Sequence, residues 1–237
     1  EVAATAGTSG VIYGVTDKLS YDRLSRINSF AHVNYSTAHP SIGVLLCING
    51  AGHSYAKTRA ELAPGRPYSE LNDLAASVKP EADDLLVLPF GNGAERMLNN
   101  QATSMSLVNY DKRKHSAPHI FRAVQEGVAF AFRYGLDIMA ESNIKPAIIR
   151  AGKSNMFLSN VFKQCFAEIT NIPLELYNTD GSAGAARGAG IGASIYKSTG
   201  EAFGNLKPLE TVIPSGGSQY HHLYENWKAI LLNQLKK

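Results

Sequence analysis

The sequence predicts a mixed α/β domain, one sheet with helices packed against it, and three observations carry that prediction. The chain begins β-rich, it then alternates strand-length with helix-length segments, and no repeat or low-complexity tract breaks that order. At 237 residues and 44% hydrophobic content it can bury one good-sized core, or two small ones, without disulfides or metal.

Residues 2–6, 11–16, 29–35 and 42–48 carry β-branched and aromatic side chains at strand length, separated by Gly, Asn and Pro. Residues 54–63 and 68–78 read as helices. In the second, Ser69 suits the N-cap, and Leu71, Leu74, Ala75 and Val78 recur at helical spacing. The apolar run 85–90 is long enough for a strand buried on both faces and too short for a helix. Residues 117–141 form the clearest helix: Pro118 fits the first turn, and Ile120, Val124, Val128, Phe132 and Leu136 keep one face apolar. A strand at 146–152, a helix at 155–170 and a strand at 172–178 follow. A small-residue helix at 182–196, a polar stretch and a final helix at 220–236 close the chain. Residues 36–40 and 201–218 are the longest expected loops, and neither resembles a domain linker.

A net charge of +3, spread over the chain, marks no nucleic-acid surface, and the "KRK" at 112–114 suits a solvated loop. The apolar runs are too short to span a membrane, and no cationic leader is present. Cys47 and Cys165 both lie in apolar runs, where a reduced thiol packs as a small hydrophobe, so a reducing, cytoplasmic setting is expected. A chain starting on Glu1 inside a strand is expected to be a piece of something longer.

Three stretches could carry chemistry. In "AGTSG", Gly7 and Gly10 bracket Thr8 and Ser9 at a strand-to-strand turn. Such a turn can offer backbone amides and hydroxyls to an anion, or it can be plain punctuation. "RAGKSNMF" at 150–157 sits between a strand and a helix, where ligands often bind. It is not a P-loop, and Ser154 could simply cap the helix. The glycines at 181, 184, 188, 190 and 192 imply either very close backbone packing or a flat ligand, because interior helical glycine is costly. His115, His119, His221 and His222 have no zinc-like spacing, so no metal site is expected among these residues. Glu95 and Arg96 follow a buried strand and read either as functional or as an ion pair holding the loop.

Taken in order, the pieces resemble the C-terminal domain of the FGGY carbohydrate kinases, and the xylulokinases among them more than other members. The residues carrying the resemblance are Gly7-Thr8-Ser9-Gly10 after a short strand, "YSELNDLAASV" leading to "LLVLPFGNGAER", "HIFRAVQEGVAFAFR", "AGKSNMFLSNVF" and "GSAGAARGAGIGA". It spans nearly the whole chain, and "RAVQEG" is its most specific element. The resemblance implies an actin-like ATPase (ribonuclease-H-like) domain over residues 1–237, a mixed β-sheet with helices on both faces. It implies phosphate contacts from Gly7, Thr8, Ser9 and Gly10, and an adenosine slot lined by Ala151, Gly152, Asn155 and Gly184. The implied partners are ATP with Mg²⁺ and a ketose or polyol, D-xylulose foremost, bound through an N-terminal domain absent here. A homodimer is compatible with the sequence, which leaves oligomeric state open; nucleic acid and membrane are not expected partners.

Two departures stand out. Arg150-Ala151 replace the family's paired glycines, so a guanidinium could crowd or stack on the base. The family's catalytic aspartate lies upstream of the Gly-Thr-Ser-Gly turn, so the chain by itself is expected to be inactive as a kinase. The competing reading is a non-catalytic nucleotide-binding or assembly module; an actin-like filament subunit has only fold analogy behind it.

Overall fold

In residues 2–6 the side chains of Val2, Ala4 and Ala6 are buried while Ala3 and Thr5 face outward, the period-two pattern of a strand with one covered face. A computed structural model describes residues 1–19, 21–217 and 219–236. In chain order the elements are β1 (Val2–Ala6), β2 (Gly10–Thr16), β3 (Asn28–Ala31), β4 (Ile42–Ile48), α1 (Ala51–Leu62), α2 (Tyr68–Ala76), β5 (Leu86–Leu88), β6 (Ala94–Glu95), β7 (Gln101–Ala102) and β8 (Ser106–Val108). They continue with α3 (Ala117–Glu141), β9 (Ile149–Gly152), α4 (Asn160–Thr170), β10 (Leu174–Tyr177), α5 (Gly181–Gly192), α6 (Thr199–Phe203), β11 (Pro208–Val212) and α7 (Gln219–Gln234).

The main sheet has seven strands in the order β11-β10-β9-β1-β2-β4-β3. β1, β9 and β10 run parallel, and the other pairings are antiparallel. This is the mixed α/β architecture the sequence predicts. The β4-α3-β9 and β9-α4-β10 connections carry the chain in one direction across the sheet. α3 and α4, the helices of these two connections, pack side by side. The main core fills the space beneath them with Ile12, Leu46, Phe132, Phe162, Phe166 and Trp227 among its largest members. A second cluster, around Tyr55, Leu71, Phe121 and Val124, joins α1 and α2 to the first half of α3.

Several local expectations are corrected. α1 begins at Ala51, three residues early, and α2 is entered from Pro67 in extended conformation; Ser69 lies inside the helix, so it is not the N-cap. The 85–90 run is buried, but only Leu86–Leu88 is strand, and it pairs with β8 in a two-stranded ribbon outside the main sheet. The reason is the pocket it enters: Gly127 of α3 lies flush against the Val87 carbonyl, which accepts a hydrogen bond from Trp227 Nε1 at 2.8 Å. The 155–170 helix is broken. Asn155 takes φ 51°, residues Asn155–Leu158 form a 3-10 turn, and Ser159 caps α4 by accepting from the Phe162 amide, a part not played by Ser154. The 201–218 stretch is not one loop, because it holds the end of α6 and all of β11; its last residue, Ser218, lies outside the described residues.

The glycines of α5 are not explained by close packing. A Cβ at Gly181, Gly184, Gly188 or Gly192 would meet nothing within 4 Å, and only Gly190 packs tightly, against Tyr196. α5 stands largely exposed beside α6, starting from an Asp180 cap that accepts from the Ala183 amide at 2.8 Å.

Candidate functional site

The turn between β1 and β2 is pinned from below by α1. The carbonyls of Gly7 and Thr8 accept from the amides of Gly52 and His53 at 3.0 and 2.9 Å, which uses the first free donors of that helix. Gly52 has to be glycine, because its Cβ would stand 2.2 Å from the Gly7 oxygen. With its carbonyls turned down onto α1, the turn leaves Thr8 exposed and Ser9 half-buried above. Gly10 is buried, and its Cβ would lie 2.7 Å from Phe132, so its smallness serves packing. Asn155 approaches from the far side: its Nδ2 is 3.6 Å from where a Cβ of Gly7 would be.

Just before α1, the fully buried Glu95 accepts from the amides of Asn49 and Gly50 at 2.8 and 2.9 Å. Burial pushes its carboxyl above the usual range against those two bonds. Arg96 donates instead to the Ser25 carbonyl, and of the two readings of this pair the Glu95–Arg96 ion pair is not found among the described residues. Glu95 supports the start of α1, and through it the turn.

These elements enclose a cleft of about 550 Å³. Its walls are Ala6, Gly7 and Thr8 of the turn; Gly52, His53, Tyr55 and Ala56 of α1; Tyr68, Ser69, Asn72, Asp73 and Ala76 of α2; and Asn155, Met156, Leu158, Asn160 and Val161 leading into α4. No Lys or Arg is among them, and Asp73 is the single carboxylate. An anion entering here meets backbone amides, hydroxyls and carboxamides, and its charge has to be offset by something that arrives with it.

Of the residues expected to bind nucleotide, Gly7, Thr8 and Asn155 line this cleft, with Ser9 and Gly10 on the same turn. Ala151 is buried in the core, and Gly152 is held against the Thr179 carbonyl, 2.3 Å from its would-be Cβ. Gly184 sits on exposed α5 and does not line the cleft. Arg150 does not crowd the slot. It extends from the sheet to Glu1 at 2.9 Å and Glu175 at 3.0 Å, because alternate residues of β9 face opposite ways. Lys153 is likewise engaged elsewhere, with Glu210 at 2.9 Å.

Sequence reasoning missed α1 and α2 as walls. The available signal was "INGAGH", glycines at a strand-to-helix turn, the same pattern that drew attention to 150–157. It also missed what "RAVQEG" does. Arg122 donates to the carbonyls of Val78 (2.7 Å) and Ala75 (3.3 Å) and to Glu126 (2.7 Å); Glu126 in turn accepts from the Glu81 amide at 3.1 Å and from Tyr220 at 3.3 Å. Burial pushes the Glu126 carboxyl up to about 7 in spite of Arg122. The motif thus fixes α2, one wall of the cleft, and ties α7 to it.

Residues 2–195 match the profile of the FGGY family of carbohydrate kinases, C-terminal domain. The chain belongs to that family. It is 28% identical over 164 residues to the L-xylulose/3-keto-L-gulonate kinase of Escherichia coli, covering 67% of this chain and 31% of that protein. It is 27% identical over 227 residues to the xylulose kinase of Haemophilus influenzae, covering 94% of this chain and 41% of that one. Among solved structures, the xylulose kinase of Rhodospirillum rubrum superimposes with a TM-score of 0.81 at 22% identity, over 100% of this chain and 48% of that chain. The chain therefore spans less than half the length of these relatives, and its fold is that of the FGGY sugar kinases. No helix among the described residues is long and apolar enough to cross a membrane.

Proposed function

We propose that this chain is the nucleotide-holding half of an ATP-dependent sugar kinase that transfers the γ-phosphate to a ketose or polyol hydroxyl, with D-xylulose as the first candidate. The observation that carries the reading is the cleft beside the pinned Gly7-Thr8-Ser9 turn: a slot of nucleotide size, with apolar and uncharged polar walls, that ends at the Thr8 hydroxyl and a small-residue turn. Thr8 and Ser9 would donate to phosphate oxygens from hydroxyl and amide, Gly7 lets the chain approach them closely, and Asn155 would stand beside that turn, with Met156 and Val161 lining the slot beyond it.

Mg²⁺ fits this arrangement as a passenger on the phosphates. Among the described residues no three His, Cys, Asp or Glu side chains gather to hold a metal, and the cleft wall has no Lys or Arg. Bound there, the ion would offset phosphate charge. The sugar site and the general base are assigned to the part of the kinase that this chain does not span, in keeping with its coverage of 31–41% of the curated relatives.

The test is titration of the chain with ATP and Mg²⁺ by calorimetry, beside a coupled ADP-release assay of the full-length protein on xylulose and other pentuloses. Saturable binding, weakened about tenfold or more by Thr8→Ala through loss of a charge-assisted hydrogen bond, is expected. Absence of binding by wild type would remove the reading. Binding without sugar-dependent ADP release from the full-length protein would leave a non-catalytic module in its place.

A further inference from the structure

The inner wall of the cleft is held by a chain of hydrogen bonds that starts at a backbone amide. Phe162 N–H can only donate, and it donates to Ser159 Oγ at 3.4 Å. Ser159 then donates its hydroxyl proton to Gln125 Oε1 at 2.5 Å. This places the Gln125 Nε2 group toward Tyr55 Oη, 2.9 Å away, and toward Asn72 Oδ1 at 3.3 Å. Tyr55 passes its own proton to Asn72 Oδ1 at 2.9 Å. Ser159, Gln125 and Tyr55 are 2%, 0% and 4% exposed, so water does not compete for these bonds.

The relay ends on Asn72, which lines the cleft and is half-buried. Its oxygen is turned inward and accepts two hydrogen bonds, and its Nδ2 donates to no group among the described residues. What this side chain offers to a ligand is therefore donors alone. An asparagine that recognises adenine does so with both ends of its amide, donating to N7 and accepting from the 6-amino group. Asn72 has no oxygen left for the second bond.

We infer that Asn72 is a specificity-determining residue of the cleft, one that grips a purine base through its acceptor atoms and does not select a 6-amino over a 6-oxo purine. The inference rests on the proposal that the cleft holds a nucleotide. It goes further in naming the wall that meets the base and the breadth of nucleotide accepted. Asp73, also on α2, is exposed and belongs to no such relay.

The experiment is calorimetric titration of ATP and of ITP, each with Mg²⁺, into the wild-type chain, Asn72→Asp and Asn72→Ala, with each variant's fold checked by melting. Wild type is expected to bind ITP at least as tightly as ATP, because donors alone suit N7 and a 6-oxo group. Asn72→Asp keeps the inward acceptor and exchanges the cleft-facing donor for an acceptor, so ATP should now be preferred over ITP by about tenfold or more, with both weaker than in wild type. Asn72→Ala should weaken both nucleotides equally. A wild-type preference for ATP beyond about tenfold overturns the inference, as do two folded variants that bind both nucleotides like wild type. A purely structural Asn72 would weaken ATP and ITP in parallel in both variants, without the reversal expected of aspartate. If wild type binds neither nucleotide, the underlying proposal and this inference fall together, a result distinct from binding with strong ATP preference.

Discussion

At position 52 a Cβ would stand 2.2 Å from the Gly7 carbonyl oxygen and 2.9 Å from its carbon, so any side chain there lifts the Gly7-Thr8-Ser9 turn off α1. Backbone cannot swing aside as a long side chain can. Gly52→Ala is expected to destabilise by about 1–3 kcal/mol, as overpacking does, and to lower ATP affinity about tenfold or more by displacing Thr8. Gly184→Ala is the contrasting case, because nothing lies within 4 Å of its would-be Cβ. It should be neutral or add about 0.5–1 kcal/mol, the ordinary helix gain, and leave ATP affinity unchanged. Urea unfolding and calorimetry on the two variants decide the matter; equal effects on binding would show that the cleft boundary has been drawn in the wrong place. Both residues were visible in the sequence as glycines. Their difference was not, since it depends on which carbonyl stands opposite.

Among the elements, α3 organises the rest. Its apolar face packs on the sheet, while Arg122 and Glu126 hold the end of α2 and Tyr220 of α7. Glu126 ordinarily titrates near 4.5 and is pushed up to about 7 here by burial. The folded chain therefore holds this proton more tightly than the unfolded chain does. Stability follows the proton-binding difference, so it should fall as pH rises from about 4.5 to about 7 and level off above that. Glu126→Gln should flatten that part of the profile. Melting curves between pH 5 and 8 check it; a wild-type profile that rises through this window, with no difference in the Gln variant, would refute the assignment. Arg122→Ala should be worse than Glu126→Gln, by about 1–3 kcal/mol, because it leaves the carbonyls of Ala75 and Val78 and the Glu126 carboxyl without their buried donor. The helix itself was the easiest element to read, its period unbroken from 117 to 141. The break at 155–159 was hidden because Asn155 in the left-handed region and a second cap at Ser159 look, in sequence, like a continuous helix. The extent of α2 was near its expected range, but its Ser69 cap was not: Pro67 presets the entry, and the serine turns into the cleft.

At the scale of the whole molecule, strand order and core were legible because they rest on periodicity, which tertiary contacts reinforce. The cleft was half legible. Gly7, Thr8 and Asn155 belong to glycine-marked turns, whereas Tyr55 and Asn72 sit on helices whose sequence gives no sign that they face a void. The cleft draws its walls from both core clusters, with Tyr55 and Val161 in one and Ala6 and Met156 in the other. A nucleotide lodged there would bridge them and has no counterpart site in the unfolded chain. Trp227, the single tryptophan, is fully buried among Phe90, Phe130 and Tyr224, so its fluorescence reports loss of the main core, away from the cleft. With ATP and Mg²⁺ at about a hundred times the dissociation constant, binding adds about 2.7 kcal/mol, which for a chain of this size raises the Trp227-monitored Tm by roughly 5–10 °C. The shift should grow with the logarithm of nucleotide concentration and fall to about half or less in Gly52→Ala at the same concentration. A fluorescence transition indifferent to ATP, in a chain shown by calorimetry to bind it, would mean that the two clusters unfold separately and that the cleft belongs to the smaller one alone.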